Sequence, residues 1–236
     1  IVYNKTYREA KGFFKKKSSD STSGKYGELL LFGLVESVLD CKMIAHKITN
    51  LTNYHDEVKG GDGIFMGNYM LPDGRIEIAY LIGESKVWKD YSGAKKDALE
   101  SINRFYDSKV QSDFKTLEFF IAQKDIEKVV SEKTDIDELY DRLDQKTELF
   151  KKQIAVHPIL IMYETKSYDK LMKKALSNLD LINSIDKTIK SKLNKTLSSI
   201  ASKVQEYPEL ENVFLDFILI PTNSIADFNE TMDNLI

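Results

Sequence analysis

Acidic and basic side chains occur together in two short segments of the first half of the chain, each opened by glycine. The segments are Gly61-Asp62-Gly63-Ile64 and Gly83-Glu84-Ser85-Lys86. Because side chains alternate along a β-strand, Glu84 and Lys86 project from one face while Ser85 points to the other. A carboxylate and an ammonium on one surface, with a second carboxylate nearby, are typical of metal-dependent phosphodiester hydrolysis.

The sequence between the two segments predicts how they pair. Leu71-Pro72-Asp73-Gly74-Arg75 places proline at the first central position of a type I turn and glycine at the left-handed position after it. If Leu71 pairs with Arg75, the same register places Asp62 opposite Glu84, with Cβ atoms about 5 Å apart. A bulge among the glycines of this region would move Asp62 to the other face of the sheet.

Two facing carboxylates repel each other unless something compensates for their charge. Either the pKa of one carboxyl is raised, or a divalent cation such as Mg²⁺ is held between them. Asp62 alone is typical of a turn, and a Glu-x-Lys pair is typical of a solvated strand. However, the strand that begins at Ile76 is apolar on both faces, and buried charge is costly unless it is paired or bound to metal. The pattern therefore favours a functional site.

A third carboxylate, Glu28, belongs to a predicted helix from about residue 25 to residue 40. Glu28 precedes Leu31 and Phe32 by three and four residues, so it lies on the apolar stripe that is expected to pack on the sheet. An acid in the first turn is also favoured by the helix dipole alone. The sequence leaves both interpretations of Glu28 open.

These elements together resemble a known nuclease core. A helix with Glu28, a strand with Asp62 and a strand with Glu84-Ser85-Lys86 are similar to the core of PD-(D/E)xK nucleases. Four segments in order also resemble the HamA family, the effector subunit of the Hachiman anti-phage defence system: Gly27-Glu28-Leu29-Leu30-Leu31, Gly61-Asp62-Gly63-Ile64, Gly83-Glu84-Ser85-Lys86 and Ser92-Gly93-Ala94-Lys95. The resemblance covers about residues 25 to 105. Phe65 departs from it, because a histidine often follows Gly-Asp-Gly-Ile in the family.

The resemblance implies that the chain hydrolyses DNA with one or two Mg²⁺ or Mn²⁺ ions. Asp62, Glu84 and the carbonyl of Ser85 would hold the metal, which lowers the pKa of a bound water. Glu28 would complete the metal shell or position a water. Lys86 would orient or deprotonate the water, or neutralise charge in the transition state, and these roles stay open.

The resemblance also implies contact with DNA and with a partner. Lys95, on the helix that follows the strand, would contact a DNA phosphate. The chain has no Gly-x₄-Gly-Lys-Ser/Thr phosphate loop, so we expect no ATP hydrolysis. Its formal net charge of −3 is unusual for a protein that binds DNA alone. The implied partner is a HamB-like helicase, which would move on DNA using ATP and hold the nuclease in check.

Two other functions remain open from the sequence. A non-catalytic adaptor could keep the fold in order to dock or restrain a helicase, although it would not need Asp62, Glu84 and Lys86. A stand-alone restriction-type endonuclease would need a basic groove, which the charge balance disfavours.

The remaining pattern predicts an α/β fold with a restriction-endonuclease-like core, in which a mixed β-sheet is flanked by helices. We expect one domain over residues 1–236, with its core at about 25–110, since 42% apolar residues can build a sizeable interior. Further helices are expected at 91–110, 113–129, 168–182, 185–204 and from Ser224, and further strands at 157–163 and 213–220.

Charge is unevenly distributed along the chain, and the chain has a single cysteine. Residues 1–25 carry seven basic residues against two acids, and residues 185–204 carry five lysines against one acid, so both are secondary candidates for DNA contact or plain solvated segments. The single cysteine, Cys41, is expected to pack near a helix end and fits a reducing cytoplasm. No apolar run approaches the ~20 residues that span a bilayer, so we expect no membrane segment. The histidines show no metal-binding spacing.

Overall fold

The computed structural model describes residues 26–46, 62–106 and 136–235. Their elements follow in chain order: α1 (Gly27–Val38), β1 (Cys41–His46), β2 (Gly63–Met70), β3 (Ile76–Trp88), α2 (Tyr91–Asn103), α3 (Ile136–Leu143), α4 (Glu148–Lys151), β4 (Ile154–Glu164), α5 (Ser167–Met172), α6 (Asn178–Val204), a 3₁₀ turn (Pro208–Leu210), β5 (Phe214–Thr222) and α7 (Ile225–Leu235). The basic segment at 1–25 and the helix predicted at 113–129 lie outside the described residues.

The strands form one five-stranded sheet in the order β1-β2-β3-β4-β5. Strand β2 pairs antiparallel with both β1 and β3, whereas β4 and β5 run parallel to β3. Helices flank this mixed sheet, so the predicted α/β fold class is confirmed. The sequence did not predict β1, because Cys41 was expected near a helix end. Instead, Asp40 takes a positive φ of 52° and the chain reverses directly into an edge strand.

The predicted hairpin register is confirmed along the whole of β2. Pairing runs from Met70 with Ile76 to Gly63 with Gly83, and no bulge interrupts it. In the turn, the Leu71 N–H donates to the Arg75 carbonyl at 2.8 Å, and Gly74 has the left-handed φ of 85° that the turn requires. The irregularity that the glycines could have introduced lies instead in β1, at residues 43–45.

Both faces of β3 are covered in its central part. On one face, Leu31, Phe32 and Val35 of α1 pack against Ala79 and Leu81. The other face buries Tyr80 and Ile82 in a second apolar cluster, and α2 packs beside it over β4. The predicted two-sided burial therefore holds at the centre, while Ile76 at the start of the strand is exposed. The charged part of β3 lies toward the opposite end, where Glu84 is buried and Lys86 is half-buried.

The C-terminal helices break at a different place from the predicted one. Helices were expected at 168–182 and 185–204, but α5 ends at Met172, and α6 runs from Asn178 to Val204 without a break at 183–184. Ser177 ends the break, because its hydroxyl accepts a hydrogen bond from the Asp180 N–H and caps α6. The final helix begins next to the predicted Ser224, and the Glu164 side chain accepts from its first N–H at 3.0 Å. Within the three described ranges, no helix is both long and apolar enough to cross a membrane.

Candidate functional site

The charged residues gather where β3 extends beyond its partner β2. Regular pairing ends at Gly63 and Gly83, yet β3 continues to Trp88. Asp62 lies just before β2, and its N–H donates to the Gly83 carbonyl at 2.9 Å. Among the described residues, no strand pairs with this last stretch of β3 on the β2 side. We call the edge of β3 from 84 to 88, together with Asp62, the notch.

Asp62 is held in the notch by Ser85. Its Oδ2 accepts hydrogen bonds from the Ser85 N–H at 2.7 Å and from the Ser85 hydroxyl at 2.8 Å. Because the N–H and C=O of one strand residue point to the same side, the Ser85 carbonyl also faces the notch. Asp62 therefore does not lie directly opposite Glu84 as predicted. Its backbone N–H bonds to the Gly83 carbonyl instead, and its carboxylate points toward Ser85.

Glu84 is a buried carboxyl, with only 4% of its surface exposed. Its Oε1 lies 2.9 Å from the Lys86 ammonium, whereas Oε2 is buried and receives no hydrogen bond from the described residues. Burial and the charge of Asp62 raise the pKa of Glu84 to about 7, although Lys86 acts in the opposite direction. The two carboxylates are thus electrostatically coupled, as the sequence suggested.

Lys86 bridges the sheet and α2. Its ammonium lies 2.9 Å from Glu84 and 3.0 Å from Oδ2 of Asp97. Burial lowers the pKa of Lys86, but the charges and hydrogen bonds of the two acids outweigh burial and raise the pKa overall. Lys86 is therefore a protonated cation in this arrangement, which suits charge neutralisation better than proton abstraction.

Asp97 was not predicted from the sequence as part of the site. It lies on α2 beside the small residues Ala94, Ala98 and Ser101, which are buried. Small residues at helical spacing allow a helix to approach a strand closely, and an acid next to such a face can reach a strand lysine. That spacing is the signal that could have identified Asp97.

Glu28 is buried on the predicted face of α1. The first turn of α1 lies directly on β3, because a Cβ on Gly27 would sit 2.8 Å from Cγ2 of Val87 and 3.3 Å from the Ser85 hydroxyl. The same contact brings Glu28 to the Ser85 side of the strand. In the described ranges, however, no three His, Cys, Asp or Glu side chains form a group that could hold a metal.

The donor set nevertheless fits a hard cation. Asp62 and the Ser85 carbonyl face the notch, and Glu84 has a buried oxygen without a hydrogen bond from the described residues. Mg²⁺ keeps several waters and needs only one or two carboxylates from the protein, so a third protein carboxylate is not required. Ligation of a metal by Asp62, Glu84 and Ser85 stays a prediction that this arrangement is compatible with.

Lys95 has a packing contact in the structure. It is buried, and its ammonium donates to the backbone carbonyl of Ser199 at 2.8 Å and to the Ser199 hydroxyl at 2.6 Å. The same ammonium lies 5.3 Å from the centre of the Tyr91 ring. This contact joins α2 to α6 and would have to break before Lys95 could bind a phosphate. The predicted DNA contact remains untested.

His157 is buried, and both of its ring nitrogens form hydrogen bonds within the protein. Its Nδ1 donates to the Ile82 carbonyl at 3.0 Å, because a carbonyl can only accept. Its Nε2 then accepts from the Tyr106 hydroxyl at 2.6 Å, and the ring stacks on Phe105. Both nitrogens are therefore satisfied by a neutral ring. His55 and the side chain of His46 lie outside the described part of the chain.

The comparison with protein families matches nearly the whole chain. A family model described as HamA matches residues 3–236. The comparisons with curated proteins and with solved structures found no match. The resemblance seen in residues 25 to 105 thus extends to the C-terminal strands and helices.

Proposed function

The chain belongs to the HamA family of the Hachiman defence system, and we propose that within this system it is a metal-dependent DNA nuclease. The observation that carries the proposal is the notch, where a buried carboxyl with a raised pKa lies beside a second carboxylate and a protonated lysine. Burying such charges is costly, and a purely structural strand end does not need them.

The metal would be Mg²⁺ or Mn²⁺, held by Asp62, Glu84 and the carbonyl of Ser85. When bound, the ion supplies Lewis-acid polarisation of the phosphate and lowers the pKa of a bound water. Its positive charge would favour the ionised form of Glu84, which desolvation and Asp62 oppose in the metal-free protein.

Lys86 would contribute positive charge to the same reaction. Asp97 and Glu84 hold its ammonium between the strand and α2, so it can neutralise charge that develops on the scissile phosphate. Glu28 would position a water or complete the metal shell from the α1 side of β3.

The proposed control is by an ATP-dependent helicase similar to HamB. The chain lacks the phosphate loop of an ATP-driven motor, and its net charge of −3 gives weak intrinsic attraction to DNA. A partner that binds and opens DNA would supply both functions. The alternative remains a non-catalytic adaptor that docks on the same helicase.

Thermal melting in Mn²⁺ distinguishes the nuclease from the adaptor. For the nuclease, Mn²⁺ at 100 times its Kd should stabilise the wild type by about 2.7 kcal/mol, or roughly 5 to 10 °C in melting temperature. Asp62→Asn and Glu84→Gln should lose this shift. Asp186→Asn, which removes one exposed acid from α6, is the matched control and should keep it. An adaptor with a vestigial site would show no Mn²⁺ shift in any of these proteins.

A further inference from the structure

The helix α6 is the longest of the described elements and is mostly exposed to solvent. Its 27 residues extend for about 40 Å, yet Ile200 is the only residue of α6 that is buried. The C-terminal part is joined to α2 through Lys95 and Ser199, and Val204 packs on the apolar cluster beneath it. Most of the helix therefore lies along the surface with one side uncovered in the described structure.

Five aliphatic side chains mark this uncovered side, and we call them the α6 stripe. They are Leu179 (67% exposed), Ile182 (61%), Ile189 (51%), Leu193 (49%) and Leu197 (53%). Their spacings of three, seven, four and four residues place them on one face of the helix, in line with the buried Ile200. Asp186 lies on the same face between Ile182 and Ile189, so the row is unbroken only from Ile189 to Leu197. A row of large exposed aliphatic residues indicates an interaction surface, whereas single ones need no explanation.

The other exposed positions of α6 carry more basic than acidic side chains. Lys187, Lys190, Lys192 and Lys195 are exposed there, and the only acids of the helix are Asp180 and Asp186. Asp186 is already engaged, because its carboxylate lies 2.7 Å from the Lys190 ammonium. The α6 stripe is thus an apolar row bordered by positive charge.

The apolar row and its lysine border favour one kind of binding partner over the others. Two copies of α6 packed together would bring their lysine borders side by side, which like-charge repulsion disfavours. Helices that lie on membranes carry Trp, Phe or Leu on their apolar face, and α6 has leucines but lacks the aromatic residues that anchor at the membrane interface. Ile189, Leu193 and Leu197 instead recur every four residues on one side of the helix, as apolar residues do in helices that bind in protein grooves.

We infer that the α6 stripe docks into an apolar groove, bordered by acidic side chains, on a partner protein. The helicase of the same defence system is the partner to which we assign that groove, and this assignment rests on the proposed function. The α6 stripe belongs to a different part of the chain from the notch, so binding and metal affinity can be altered separately.

The test is a titration of the full chain with the purified Hachiman helicase, with Kd measured by calorimetry. Leu193→Gln/Leu197→Gln should weaken binding at least tenfold, and Lys190→Gln/Lys192→Gln should weaken it less and reduce its dependence on salt. Ser191→Gln/Ser198→Gln, on the side of α6 that faces away from the stripe, is the matched control and should change Kd less than twofold. All variants should melt like the wild type and keep the Mn²⁺ shift, which shows that they are folded.

Four results would overturn the inference. They are an unchanged Kd in the Leu193/Leu197 variant, no binding of the wild type to the helicase, self-association of the wild type that the variant loses, and flotation of the wild type with anionic vesicles that the variant loses. If one of these results is obtained while the wild type keeps its Mn²⁺ shift, the α6 stripe is not the docking surface and the nuclease proposal is unaffected. Loss of the Mn²⁺ shift from the wild type itself would count against the nuclease instead.

Discussion

Glu84 has a strongly perturbed carboxyl in the candidate site, and the proposed metal chemistry depends on it. Its carboxyl is desolvated, lies near the charge of Asp62 and is supported on one side by Lys86. In the metal-free protein this arrangement favours the protonated form, so the folded state binds a proton more tightly than the unfolded chain. A site built to hold a cation has this property, because the negative charges that attract the metal repel each other without it.

The raised pKa of Glu84 predicts a pH dependence of stability. Since the pKa is about 7 in the folded protein and 4.5 ordinarily, the folded state holds the extra proton between these values. The carboxyl therefore stabilises the protein fully below about pH 4.5, and this contribution is lost as the pH rises toward 7. Between pH 5 and pH 8 in EDTA, the free energy of unfolding of the wild type should fall, relative to that of Glu84→Gln, by on the order of 1 kcal/mol or more.

Chemical denaturation at several pH values measures this difference. Glu77→Gln, at a more exposed position of the same strand, is the control, and its free energy of unfolding should differ from that of the wild type by nearly the same amount at every pH. If the difference for Glu84→Gln is also independent of pH, the Glu84 carboxyl is not perturbed by its surroundings.

Residue identity and alternation predicted much of the site. Asp62, Glu84 and Lys86 lie together at one end of β3, and Glu28 is buried on the predicted face of its helix. The turn of Asp62 toward Ser85 could not be predicted, because it depends on where β2 stops pairing. The contact of Asp97 with Lys86 depends on how closely α2 approaches the strand, which the sequence specifies only through small residues.

At the scale of elements, the closeness of α1 to β3 positions the candidate site. Gly27 lies where any side chain would meet Val87 and Ser85, whereas Gly33 on the same helix has nothing within 4 Å of the place a Cβ would occupy. The same type of residue therefore has two roles in one helix. One glycine permits contact with the sheet, and the other only weakens the helix.

These two glycines give a matched pair of substitutions. Gly33→Ala should stabilise the protein by roughly 0.5 to 1 kcal/mol, because alanine restricts the unfolded chain and favours the helix. Gly27→Ala should destabilise it by about 1 to 3 kcal/mol, because the new methyl group overlaps Val87 and pushes the first turn of α1 away from Ser85. Urea denaturation measures both. Equal effects of the two substitutions would contradict the close packing of α1 on β3.

The sequence predicted elements best where its periodicity was long and uninterrupted. The hairpin, β4 and β5 matched, because turn chemistry and apolar runs specify them locally. The edge strand β1 was missed, since its formation depends on pairing with β2. The break between α5 and α6 was missed because Ser177 competes with the helix through a single capping bond.

At the scale of the whole molecule, a small acidic chain with a buried charged site is poorly equipped to find DNA. Its net charge is −3, and Lys95, one of its expected DNA contacts, is engaged inside the protein. We therefore expect the isolated chain to cut DNA weakly or not at all. Electrophoresis of plasmid DNA after incubation with the chain in Mg²⁺ tests this, and vigorous cutting without any helicase would contradict control by a partner.

The most direct measurement is DNA cleavage by the chain together with its helicase, ATP and Mg²⁺, on supercoiled and linear DNA. We expect the wild type to degrade DNA, EDTA to stop the reaction, and Glu84→Gln and Lys86→Ala to reduce the cleavage rate by about 10² to 10³ or more. Glu77→Gln, at a more exposed position of the same strand as Glu84, should cut like the wild type. Equal cleavage by the wild type and the Glu84→Gln and Lys86→Ala variants, or no cleavage by any of them, would contradict a nuclease centre in the notch and favour the adaptor.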